Sequence, residues 1–90
     1  MKLIIATTPT CVKCKSLHHI INSLDEGTVD AKFINILDES DESKSLLEEF
    51  GIKQVPYLIF YNSEGKVVET MSGSVSKSDI LKIINNYKEE

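Results

Sequence analysis

Two cysteines, Cys11 and Cys14, are the residues of this chain best suited to covalent chemistry, and it has no others. They lie three positions apart in Thr8-Pro9-Thr10-Cys11-Val12-Lys13-Cys14-Lys15. An apolar run, Leu3-Ile4-Ile5-Ala6, precedes this stretch, and a segment with helical apolar spacing begins near Cys11. The pattern is a strand, a short loop and a helix whose first turn carries Cys-x-x-Cys, which is a redox arrangement. A helix start leaves backbone N–H groups unpaired and carries the positive end of the dipole, so it favours a thiolate at Cys11. Lys13 and Lys15 add positive charge. Cys14 falls one helical turn later on the side facing Cys11, so the two sulfurs can approach and either can attack a mixed disulfide formed by the other. Cys11, the more exposed, is read as the attacking nucleophile and Cys14 as the resolving thiol.

Composition narrows the alternatives. Ninety residues, 41% apolar and 27% charged, suit one small folded domain spanning 1–90. No apolar run approaches the roughly 20 residues of a membrane span, and the first is only about four residues, shorter than a signal-peptide core. The expected location is therefore the cytoplasm, without membrane association. A disulfide between residues so close together closes a tiny loop and is a poor structural staple, so a catalytic pair in a reducing compartment is the better reading. The net charge is −4 and no basic patch is present, which argues against nucleic acid. A zinc site would need a fourth ligand beyond Cys11, Cys14 and His18, and no second Cys-x-x-Cys supplies one, so no metal is expected. His18 and His19 read as exposed helix residues, Tyr57, Phe60 and Tyr61 as sheet and core residues, and the run Asp38 to Glu42 as a solvated loop and helix start.

The elements that position the cysteines follow from periodicity. Lys2 to Thr7 is a continuous apolar strand, broken by Thr8-Pro9-Thr10. A helix over Cys11 to Leu24 turns Cys14, Leu17, Ile20 or Ile21, and Leu24 inward, with Gly27 as its stop. Asp30 to Leu37 reads as a second strand, parallel to the first through a βαβ crossover. A helix over Ser43 to Phe50 buries Leu46, Leu47 and Phe50 and stops at Gly51. Tyr57 to Tyr61 and Lys66 to Met71 form a hairpin through Asn62-Ser63-Glu64-Gly65. Ser76-Lys77-Ser78-Asp79 is a capping box for a last helix whose apolar face is Ile80, Ile83, Ile84 and Tyr87. The order βαβαββα predicts an α/β fold, one four-stranded mixed central sheet flanked by three helices.

This order, with Cys-x-x-Cys opening the first helix and Val55-Pro56 opening the third strand, resembles the thioredoxin superfamily over nearly the whole chain. Phe50-Gly51-Ile52-Lys53-Gln54-Val55-Pro56 looks like the segment that carries the cis-proline of thioredoxins. The resemblance implies a thioredoxin-like fold, a cis Val55–Pro56 bond, Pro56 packed beside the cysteine pair, and Val55 offering backbone hydrogen bonds to substrate. The departures are specific. Thr10 stands where thioredoxins have tryptophan, and Val12-Lys13 where they have Gly-Pro. Ile5 stands where they carry a buried acid. In length and starting point the chain is more like a glutaredoxin, yet the glutaredoxin Cys-Pro-Tyr-Cys motif and the later Gly-Gly pair are absent.

The expected activity is thiol–disulfide exchange, a protein-disulfide reductase chemistry carried by Cys11 and Cys14. Val12, Lys13, Val55 and Pro56 are expected to contact substrate, and Val12, Val55 and Val75 to form an apolar docking rim. The expected cofactor is none beyond the redox-active Cys11–Cys14 disulfide. Expected partners are disulfide-containing proteins and a reductant, either a thioredoxin reductase-type flavoprotein, which the second half of the chain favours, or glutathione. A monomer is expected. Lys13 should stabilise the reduced thiolate and make the pair less reducing than that of a typical thioredoxin. Two other readings stay open, a glutathione-dependent glutaredoxin-like enzyme and a non-catalytic binding module on the same fold.

Overall fold

The computed structural model describes residues 2–24, 29–73 and 75–87. Four strands and three helices follow one another as β1 (Lys2–Thr7), α1 (Val12–Asn22), β2 (Asp30–Asn35), α2 (Asp41–Phe50), β3 (Tyr57–Tyr61), β4 (Val67–Ser72) and α3 (Lys77–Asn86). The strands form one sheet in the order β2-β1-β3-β4. β1 runs parallel to β2 and antiparallel to β3, and β3 and β4 form the antiparallel hairpin. This is the expected mixed sheet. β1 and β3 are its central strands, which explains their near-continuous apolar sequences: both faces are covered.

Strand alternation sends the side chains of β1 and β3 into two separate clusters. Leu3 and Ile5 of β1 join Leu58 and Phe60 of β3 on one face, packed against Leu17 of α1 and Ile80, Ile83 and Ile84 of α3. Ile4 and Ile59 point to the other face and meet Ile34 and Leu46, with Phe50, Ile52, Tyr57 and Tyr61 around them. Thus α1 and α3 cover one face and α2 the other. Each fully buried side chain of the size of Leu58 or Phe60 contributes about 1.5–3 kcal/mol by leaving water.

Local chemistry sets the element ends, and in several places it moves them from the expected positions. Ser40, not a residue at the expected start, caps α2: its hydroxyl accepts from the Ser43 N–H at 3.1 Å, so the helix begins at Asp41. Ser43 is fully buried, and its hydroxyl lies within hydrogen-bonding distance of both the Asn35 carbonyl (2.8 Å) and the Asp38 carboxylate (2.7 Å). β2 ends at Asn35, two residues short of Leu37, because the Asn35 side chain accepts from the Leu37 N–H and turns the chain. Asn62 acts likewise in the hairpin, accepting from Glu64 and Lys66 N–H, so β4 begins at Val67 rather than Lys66. Gly51 ends α2 in the left-handed region (φ 56°), as expected.

The capping box of α3 is present as read, Ser76 and Asp79 each accepting from the other's N–H. Tyr87 departs from the expected apolar face: it is the C-cap of α3 and 38% exposed. In α2, Leu46 is buried as expected, whereas Leu47 and Phe50 are half-buried. α1 is shorter than expected and ends at Ser23, whose N–H donates to the His19 and Ile20 carbonyls. Gly27, the expected stop, lies outside the described residues. Among the described residues no helix is long and apolar enough to cross a membrane.

Candidate active site

The cysteine pair sits where β1 hands over to α1. Pro9 stops the strand, and the Cys11 N–H donates back to the Thr8 carbonyl (3.2 Å), closing a turn that delivers Cys11 to the helix start. Cys11 is the N-cap itself, in extended conformation, and its sulfur accepts from the Cys14 N–H at 3.0 Å. A sulfur in this position receives the donor that a cap oxygen ordinarily satisfies, together with the positive end of the α1 dipole. The first turn of α1 holds no acidic residue to offset that field. Cys11 and Cys14 are joined in a disulfide, with their Cα atoms 5.2 Å apart. Cys11 remains partly exposed, while Cys14 is 3% exposed and packed under the helix. This asymmetry suits the expected roles, an accessible attacking sulfur and a sheltered resolving one.

Two hollows flank the first turn of α1. One, of about 140 Å³, is lined by Lys13, Ser16, Leu17, Pro56 and Val75. It brings the loop before β3 and the segment before α3 against the helix. Pro56 is buried and its bond to Val55 is cis, as the resemblance implies. Gly73 supports this loop from behind: its N–H donates to the Pro56 carbonyl at 3.1 Å, with φ at 77°, a conformation that suits glycine. Val55 is half-buried, and among the described residues no hydrogen bond occupies its N–H or C=O. Val12, 75% exposed, projects at the tip of α1. The structure therefore gathers Cys11, Val12, Lys13, Cys14, Val55 and Pro56 at one end of the sheet.

The second hollow, of about 270 Å³, lies on the β2 side and is lined by Thr7, Thr8, Pro9, Cys11, Cys14, Lys15, His18 and Asn35. His18 is an exposed residue of α1, as its position in the sequence suggests. Its ring also stacks on Phe33 of β2, with centroids 3.6 Å apart and planes 14° from parallel. Thr7 and Asn35 also reach this hollow without having been singled out by sequence. The usable signal for His18 was its spacing of four residues from Cys14. The signal for Asn35 was absent, since only strand pairing brings it beside Thr7. Ile5 is fully buried in the core, and among the described residues the buried polar side chains are Thr7 and Ser43, with no buried carboxylate.

Comparison with known proteins agrees with this geometry. The sequence model of the family described as "Thioredoxin-like domain" matches residues 2–88. The thioredoxin of Porphyra purpurea is 28% identical over 80 residues, covering 88% of this chain and 72% of that protein. NADPH-dependent thioredoxin reductase 3 of Arabidopsis thaliana is 30% identical over 87 residues, 96% of this chain but only 16% of the reductase. Among solved structures, a mutant thioredoxin from Halobacterium salinarum superposes with a TM-score of 0.81 at 24% identity, covering 99% of this chain and 75% of the other. With residues 2–88 matched by the family and a Cys-x-x-Cys disulfide capping α1, the chain belongs to the thioredoxin-like domain family and is a thiol–disulfide oxidoreductase of that family.

Proposed function

We propose that this chain works as a single domain that reduces disulfides in other proteins, with Cys11 and Cys14 as the reacting groups. The Cys11–Cys14 disulfide at the N-terminus of α1, with only Cys11 accessible, is the observation that carries this reading. Reduced Cys11 attacks one sulfur of a target disulfide and forms a mixed disulfide, releasing the other target sulfur as a thiolate. Cys14 then attacks the Cys11 sulfur, the second target thiolate leaves, and the pair is left oxidised. The exchange itself requires no metal or organic cofactor.

Substrate is held by the end of the molecule that carries the pair. The unoccupied backbone N–H and C=O of Val55 suit an extended peptide laid beside the cysteines. Pro56 shapes the groove, and Val12, Val55 and Val75 form its apolar rim. Lys13 lines the same hollow as Pro56 and Val75, so its charge lies along the substrate path. The reductant that returns the pair to its dithiol is a thioredoxin reductase-type flavoprotein. The similarity to a segment of a plant NADPH-dependent thioredoxin reductase supports that class over glutathione.

Trapping separates the two cysteine roles. Reduced Cys14→Ser protein mixed with a disulfide-bonded protein accumulates a stable intermolecular disulfide at Cys11, read by mass. Cys11→Ser protein accumulates none at a comparable rate. Equal trapping by both variants would contradict the assignment.

A further inference from the structure

We propose that His18 is the proton acceptor for Cys14 in the resolving step, an inference that rests on the oxidoreductase reading above. The step needs Cys14 as a thiolate, yet Cys14 is 3% exposed, and burial disfavours the charged sulfur. A base must therefore reach it. No buried carboxylate serves, since among the described residues the buried polar side chains are Thr7 and Ser43.

His18 meets the geometric requirements. It follows Cys14 by four residues within α1, so the two side chains share one helix face with Cβ atoms about 5–6 Å apart. Both line the hollow on the β2 side, together with Cys11. The stack on Phe33 holds the ring towards β2, where Asn35 and Thr7 close that hollow. Among the described residues neither ring nitrogen is engaged in a hydrogen bond. Lys15 of α1 is the charged group facing the hollow. The groups that meet His18 there from β1, the following loop and β2 are the neutral Thr7, Thr8 and Asn35 and the apolar Phe33.

The step balances as follows. The Cys14 S–H bond breaks and its proton passes to the His18 imidazole. The sulfur's electron pair forms the Cys14–Cys11 bond as the bond between Cys11 and the target sulfur breaks. The target sulfur leaves with the electron pair of that broken bond and takes a proton from the imidazolium or from solvent. Cys11 and Cys14 are together oxidised by two electrons, and the target disulfide is reduced.

Stopped-flow mixing of the reduced protein with one equivalent of dithio-bis-nitrobenzoate resolves the chemistry into two colour-releasing phases. The first is attack by Cys11 and the second is attack by Cys14 on the Cys11 mixed disulfide. In His18→Phe, which retains a ring for Phe33, the second phase slows by about tenfold or more at neutral pH. Its pH profile also departs from that of wild type. His18→Gln behaves the same way, and the first phase is unchanged in both. A second phase with wild-type rate and pH profile in both variants overturns the proposal while leaving the exchange mechanism standing. So does an equal slowing of both phases, which marks a structural effect. A wild-type protein that releases one thionitrobenzoate per molecule rather than two overturns the exchange mechanism and this role with it.

Discussion

At the scale of single residues, the site is one buried and one accessible sulfur in the positive field of a helix start. Residue type and spacing sufficed to identify Cys11 and Cys14, and the resemblance to thioredoxins implied the cis Val55–Pro56 bond. His18 was not legible in the same way, because its meaning depends on Phe33, which lies on another element and meets it only in the folded chain. Lys13 carries a testable consequence. It sits between the cysteines, where its charge is expected to favour the thiolate of the reduced form and so shift the pair towards the dithiol. Exposed charges contribute about 0.2–1 kcal/mol each. Reversing this one in Lys13→Glu removes one such contribution and adds its opposite, and should therefore move the equilibrium with glutathione towards the disulfide by about two- to thirtyfold. An unchanged equilibrium would remove Lys13 from the redox account.

At the scale of elements, apolar periodicity found all seven, and β1 and β3 have the expected bounds because a proline stands beyond one end of each: Pro9 after β1 and Pro56 before β3. Three of the boundaries that moved, at Asn35, Ser40 and Asn62, are ones where a polar side chain captures a backbone N–H. Such captures compete with the ladder or start a helix early, and hydrophobic spacing does not register them. The turn before α2 gives a pH prediction. Asp38 accepts from the Ser40 N–H and from Ser43, and these hydrogen bonds hold its carboxyl below the ordinary value of 3.8. A carboxyl depressed in the folded state stabilises the fold fully above its unfolded value and loses that contribution as pH falls through the folded value. Asp38→Asn should therefore unfold at a lower temperature than wild type at neutral pH, with the gap closing on acidification below about pH 4. A gap that is constant with pH would show that the carboxylate charge is not what matters in this turn.

At the scale of the whole molecule, the two central strands organise everything else. Their alternate residues build two clusters, α1 and α3 cover one and α2 the other, and the pair sits at the end of the sheet where β1 stops and α1 starts. The fold was legible because local preference and global arrangement agree: the strand patterns, the capping box and the glycine stops point to one topology. The surroundings of the cysteines were less legible, since the two hollows are assembled from the ends of β1 and β2, the segments before β3 and α3, and α1. The measurement that tests the central claim most directly is a redox titration of the pair against graded glutathione buffers, read by thiol alkylation and mass. Exchange through this pair requires a single two-electron transition between a monomeric dithiol and an intramolecular Cys11–Cys14 disulfide. If no intramolecular disulfide forms in any buffer, thiol–disulfide exchange through this pair is contradicted.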